Sequence, residues 1–343
     1  MRILLTADPF LPVPPRLYGG IERVIATLTE NLRARGHVVG LVAVKGSTAL
    51  VDHFRPWRYA KPDDWIAHSQ NAVSLMQACG EFGPSVIHSF SRLLYLAPLQ
   101  LRRIPKIMSY QRTVGGSQIR LWAALARGSL TFTGCSEFIA SMGRAHGGVW
   151  HAIPNFVDTS FYRFSAAVPA QAPLLFLSRI EEIKGTHLAI DVAKRTGRRL
   201  LIAGNRAESG AEGVYWETRI KPELGRNGIE YVGPVDDRSK LHLLESALAL
   251  IVPIQWDEPF GIVFAEALAC GTPVIACPRG ALPEIVRHGV DGFLVSSVDE
   301  ACRAVAQIGS IDRRQCRARA ESAFSASVVT GIYEALYETL VRN

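Results

Sequence analysis

The sequence predicts an α/β protein built from two Rossmann-like units. Its 343 residues suffice for two domains of ordinary size. Apolar runs that read as buried strands alternate with helical patterns, first over residues 2–44 and again after residue 173. Between the two lies Ser165-Ala166-Ala167-Val168-Pro169-Ala170-Gln171-Ala172-Pro173, small residues with two prolines and no periodicity, which reads as a linker. The expected boundary therefore separates residues 1–165 from 172–325.

Composition narrows the class. With 48% hydrophobic and 20% charged residues the chain is globular rather than disordered. No apolar run reaches the roughly 18–20 residues needed to cross a bilayer. The start, Met1-Arg2-Ile3-Leu4-Leu5-Thr6-Ala7-Asp8, reads as a first strand rather than a secretory signal, so a cytoplasmic protein is expected. Six cysteines (Cys79, Cys135, Cys270, Cys277, Cys302 and Cys316) lack any Cys-x-x-Cys spacing and read as reduced thiols, several filling the core. The formal charge of +7 is uneven: residues 1–160 hold 17 Lys and Arg against 9 Asp and Glu, the rest 21 against 22. A basic first half suits an anionic acceptor or the inner face of an acidic membrane, and reads equally well as a solubilising surface. No basic run is interleaved with aromatics, so nucleic acid is not an expected partner. No repeat or low-complexity tract is present.

In the first half a strand at 2–7 leads through Pro14-Pro15 to Gly19-Gly20. A helix follows, with Ile21, Val24, Ile25, Leu28 and Leu32 on one face, then a strand at 38–44. The absence of Gly-x-Gly-x-x-Gly argues against a standard dinucleotide site. Gly19-Gly20 is either a flexible turn or a place where backbone approaches a ligand. His88 ends a short strand at 86–88 and reads as structural, with acceptor contact as the other reading. A strand at 106–110 delivers Gln111, and one at 132–136 precedes Ile153-Pro154-Asn155-Phe156-Val157-Asp158.

In the second half a strand at 174–178 delivers Arg179 and Lys184 onto a turn before a helix that begins near Thr186. Two cations at a strand's carboxyl end can converge on a phosphate pair, although such residues are often merely solvated. Strands at 200–204 and 229–233 follow, the second leading to Val235. The strand at 249–253 feeds the central stretch, Asp257-Glu258-Pro259-Phe260-Gly261-Ile262-Val263-Phe264-Ala265-Glu266-Ala267-Leu268-Ala269-Cys270-Gly271-Thr272-Pro273. This is a loop that becomes a helix, with Gly271 placed to end it and Pro273 beyond. The amides of Phe260, Gly261, Ile262 and Val263 sit at the positive end of its dipole, where an anion or a hydroxyl-rich ligand fits. Glu258 stands just before that end. Glu266 lies within an otherwise apolar helix, where a carboxylate requires hydrogen-bond donors such as a ribose diol. A capping Glu and a surface Glu fit the spacing as well.

Two glutamates eight apart, in Glu-Pro-Phe-Gly…Glu followed by Ala-Cys-Gly-Thr-Pro-Val, resemble the donor-site motif of the retaining GT-B glycosyltransferases of family 4. The likeness extends along nearly the whole chain. It implies two Rossmann-like domains facing across a cleft, with a last helix at about 326–343 crossing back to the first. It implies transfer of a hexose from a nucleotide sugar, UDP-linked by preference, to an acceptor hydroxyl on a small molecule, glycan or lipid-linked saccharide. In the implied roles Arg179 and Lys184 neutralise the leaving diphosphate and Glu258 orients the sugar. The amides of residues 260–263 face the donor, Glu266 holds the ribose, the backbone at Val235 meets the base, and the Gly20 amide approaches the diphosphate. The sequence has no Asp-x-Asp, so no metal or other cofactor is expected. It departs from the family at Gln111, where a histidine is usual, and at Phe156, where Pro-Asn-Gly-Val-Asp has glycine. Gln can bond a sugar hydroxyl but cannot take a proton. The alternatives from the same fold are a nucleotide-sugar epimerase or hydrolase, and a non-catalytic binding scaffold.

Overall fold

The computed structural model describes residues 1–16, 19–115 and 119–342. The chain folds as two α/β units, residues 1–156 with 326–343, and residues 157–325.

The first unit carries a seven-stranded parallel sheet: β1 (Arg2–Thr6), β2 (Val38–Ala43), β3 (His53–Pro56), β4 (Val86–Ser89), β5 (Lys106–Tyr110), β6 (Leu130–Gly134) and β7 (Trp150–Ala152). Their order is β3-β2-β1-β4-β5-β6-β7. The chain winds outward from β1 in one direction and then returns beside it at β4, so β1 and β4 flank a topological switch point. The helix Gly20–Ala34 makes the first crossover and buries Val24, Ile25, Leu28 and Leu32. The helix that terminates the chain, Ala326–Arg342, packs on that helix and on β4. Arg35 bonds Glu334 at 2.8 Å and His37 bonds it at 2.7 Å.

His88 is fully buried beneath this last helix. It bonds Tyr337 Oη and Ser109 Oγ, each at 2.6 Å, and Ser109 bonds Thr133 in turn. Tyr333 adds its hydroxyl to the same pair. His88 therefore has no acceptor role; it anchors the C-terminal helix to the sheet. Burial pushes its pKa down to about 3. The unfolded imidazole protonates near pH 6.5, so the unfolded chain gains a proton that the fold refuses as pH falls through that window. Stability is lost there by up to about 1.4 kcal/mol per pH unit. In urea unfolding, His88→Gln is expected to lose about 3 kcal/mol at neutral pH through unpaired hydroxyls and a cavity. The gap to wild type should narrow toward about pH 5, and a gap indifferent to pH would contradict the buried neutral imidazole.

The second unit carries six parallel strands: β8 (Leu174–Leu177), β9 (Leu200–Ala203), β10 (Ile229–Gly233), β11 (Ala249–Val252), β12 (Val274–Ala276) and β13 (Gly292–Leu294). Their order is β10-β9-β8-β11-β12-β13, which puts the switch point between β8 and β11. Their apolar runs are continuous because both faces of such a sheet are covered.

The boundary lies at Phe156, not in the 165–173 stretch that the composition marks. Residues 157–165 are bound into the second unit by two arginines of the helix Arg313–Phe324. Arg317 donates to the carbonyls of Thr159 (2.8 Å), Tyr162 (2.6 Å) and Ala269 (2.7 Å). Arg313, 7% exposed, donates to the Ser165 carbonyl at 2.7 Å and to Thr272 Oγ1 at 2.8 Å. A guanidinium that satisfies several buried carbonyls at once fixes a segment without regular secondary structure.

Among the described residues, no helix is long and apolar enough to cross a membrane. The six cysteines are free, five buried and Cys302 half-buried.

Candidate functional site

Of the charged residues singled out after β8 and β11, Lys184 and Glu258 meet at the switch point of the second unit. Lys184, in the turn after β8, places Nζ 2.7 Å from Glu258 Oε2 in the loop after β11. Their side chains are 9% and 13% exposed. Trp256 completes the arrangement: its indole N–H donates to the same Glu258 oxygen at 3.0 Å, and its ring lies 4.6 Å from Lys184 Nζ. The lysine thus has both a carboxylate and an aromatic face as partners.

Two glycines make this approach geometrically feasible. Gly185 has φ of 77°, and a Cβ there would lie 2.2 Å from the Pro253 carbonyl. Gly280 lies against the backbone of Glu258, where a Cβ would sit 2.5 Å from its nitrogen, and the neighbouring Ala281 amide bonds the Glu258 carbonyl at 2.8 Å. Only backbone without a side chain fits at either place.

Arg179 leaves the same edge but is 45% exposed and paired with Glu181, two residues on. It lies on the rim rather than in the Lys184–Glu258 pair.

Gly261 caps the central helix Ile262–Ala269 in the left-handed conformation, φ 82°. The helix spans eight residues, and Gly271 follows its C-cap Cys270 with φ 78°. Phe260 is buried 5.6 Å from Phe324 and anchors the loop. Ile262 and Val263 are half-buried, and as first-turn residues their amides have no partner within the helix. These donors offer an anion a site beside Lys184's loop partner, Glu258.

Glu266 is 4% exposed, and its Oε1 accepts from Tyr162 Oη and Lys240 Nζ, both at 2.5 Å. Its burial is therefore compensated within the protein, and any ribose contact would share the carboxylate with these two donors. Val235 is half-buried just before Asp236, which caps the helix Asp237–Ser246 by accepting from the Ser239 amide at 2.7 Å. Lys240 extends from the first turns of that helix.

The other two candidates belong to the first unit. Gln111, at the end of β5, accepts a hydrogen bond from Asn155 Nδ2 at 2.7 Å. Gly20 opens the helix after β1, but the conformational demand falls on Gly19: its φ is 147°, and a Cβ there would lie 2.6 Å from Pro15 Cβ and 2.9 Å from Glu22 Oε2.

Sequence reasoning missed Trp256, Tyr162, Lys240 and Asn155. Lys240 carried a signal, since a cation near a helix N-terminus opposes the dipole and calls for a specific partner. Among the described residues no cluster of three or more His, Cys, Asp or Glu is arranged to hold a metal.

Two doubly wound α/β units are the architecture of the GT-B class. The model for Glycosyltransferase Family 4 matches residues 18–161 and that for Glycosyl transferases group 1 matches residues 160–322. The chain belongs to the family 4 GT-B glycosyltransferases. A D-inositol 3-phosphate glycosyltransferase of Mycobacterium marinum is 36% identical over 132 residues, 38% of this chain and 28% of that protein. The match thus spans little more than a quarter of that relative's length. Among solved structures, AviGT4, a glycosyltransferase involved in avilamycin A biosynthesis, is 26% identical with a TM-score of 0.74, covering 100% of this chain and 98% of its own. Anabaena HepE, solved with UDP and glucose, shares the fold at 20% identity and a TM-score of 0.75, over 98% of this chain and all of its own.

Proposed function

We propose that this chain is a retaining glycosyltransferase that moves a hexose from a UDP-linked donor to an acceptor hydroxyl without a metal ion. The Lys184–Glu258–Trp256 arrangement is the observation that carries the reading. In the reaction the bond from the anomeric carbon to the phosphate oxygen breaks, and a bond to the acceptor oxygen forms on the same face. The leaving phosphate oxygen takes the acceptor proton, so no side-chain base is required, and Gln111 is compatible with the step. Lys184, Arg179 and the amides at 260–263 meet the charge that grows on the diphosphate. Glu258 orients sugar hydroxyls and favours positive charge on the ring, while Glu266 and the backbone at Val235 hold the ribose and base. A cytoplasmic setting, with the basic first unit near an acidic membrane surface, fits the charge distribution.

HepE's UDP and glucose support the choice of donor. The test is calorimetry with UDP, GDP and ADP, each with and without EDTA. UDP is expected to bind most tightly, with the same affinity in both buffers. Binding that requires a divalent ion would overturn the metal-free mechanism, and preference for GDP or ADP would overturn the donor class.

A further inference from the structure

Glu266 uses its two carboxylate oxygens very unequally. Oε1 accepts from both Tyr162 Oη and Lys240 Nζ, at 2.5 Å each. Among the described residues nothing donates to Oε2. Each oxygen of a carboxylate can accept about two hydrogen bonds, and a buried one is ordinarily satisfied at both. A carboxylate only 4% exposed, with one oxygen doubly engaged and the other left open, keeps an acceptor for a hydroxyl from outside the chain.

The last torsion of a glutamate is broad, so nothing intrinsic to Glu266 decides which oxygen faces outward. The two donors decide it, and both are themselves held. Tyr162 is 4% exposed, and Arg317 Nη1 donates to its carbonyl at 2.6 Å. Lys240 extends from the helix Asp237–Ser246 with its side chain 12% exposed, and Asp237 Oδ1 stands 3.3 Å from its Nζ. The same ammonium lies 5.6 Å from the Tyr162 ring, so the two anchors also hold each other. Glu266 stands one turn beyond Ile262, half-buried at the start of the central helix. Helix side chains lean toward the N-terminus, which turns this carboxylate back toward the end where the donor is proposed to bind.

We propose that Tyr162 and Lys240 are positioning residues that hold Oε1 so that Oε2 of Glu266 meets the ribose diol, and that they thereby set the preference for a ribonucleotide donor. The proposal rests on the donor site described under the proposed function. Calorimetry with UDP and with 2′,3′-dideoxy-UDP, which lacks the diol, tests it. Wild type is expected to bind UDP at least about tenfold more tightly than the dideoxy analogue. In Tyr162→Phe and in Lys240→Met the preference should shrink to about threefold or less, the loss falling on UDP while the analogue keeps its affinity. Tyr162→Phe removes one hydroxyl and keeps the ring, so it carries the test even where Lys240→Met folds poorly. A merely structural role predicts otherwise: a displaced segment or a smaller folded fraction weakens both nucleotides alike and leaves their ratio unchanged. A wild-type ratio in both variants therefore overturns the positioning role. A wild-type protein that binds the two nucleotides equally overturns the diol contact and the proposal with it, whereas one that binds neither overturns the donor reading itself.

Discussion

Glu258→Gln is expected to lower the turnover of sugar transfer by about 10²–10³-fold while leaving UDP binding as tight as in wild type or tighter. The asymmetry follows from the geometry. Glu258 Oε2 holds Lys184 at 2.7 Å and the Trp256 indole at 3.0 Å, so the carboxylate occupies the cation that the proposed mechanism gives to the diphosphate. The amide of Gln keeps the side chain's shape and its bond from Trp256, but it no longer neutralises Lys184. The freed lysine then meets the phosphates more strongly, while the sugar ring loses the anion that favours its oxocarbenium character. Lys184 is largely buried, so the variant also loses stability, of order 3 kcal/mol, as expected when one partner of a buried pair is removed. Thermal unfolding must therefore accompany the kinetics. Near-normal turnover in a folded Glu258→Gln protein would remove Glu258 from the chemistry.

What the sequence made legible, and what it hid, follows from the range of the interactions. Strands such as Leu174–Leu177 and Ala249–Val252 are continuous apolar runs, because helices cover both faces of a parallel sheet. The edge strand His53–Pro56 alternates in burial and ends in proline, and Trp150–Ala152 is three residues long, so neither announces itself. The helix Trp65–Phe82 likewise presents many small and polar residues and no clear apolar stripe. At the site, Glu258, Gly261 and Glu266 could be read because a loop, its cap and its helix are adjacent in sequence. The pairings could not: Tyr162 stands 104 positions from Glu266, and Lys184, itself singled out, stands 74 from the Glu258 it bonds. The misplaced boundary has the same origin. Residues 165–173 have the composition of a linker, but arginines some 150 positions later, Arg313 and Arg317, decide which unit owns residues 157–165.

Lys184→Met should be the more damaging change, weakening UDP binding by at least about 10²-fold and reducing transfer further still. Methionine retains the packing against Trp256 but leaves Glu258, 13% exposed, as a carboxylate without its cation at the place where the proposed mechanism brings the diphosphate. The variant therefore loses an attraction and gains a repulsion, and the two can be separated. In the double variant Lys184→Met/Glu258→Gln the repulsion is gone, so UDP affinity should recover by roughly tenfold relative to Lys184→Met although no cation has been restored. A purely structural lysine would behave otherwise: each substitution would add its own destabilisation, and the double variant would bind UDP no better than either single one. Calorimetry on the four proteins, each first shown to unfold cooperatively, closes the cycle. UDP affinity within twofold of wild type in Lys184→Met would withdraw the lysine from the donor site altogether.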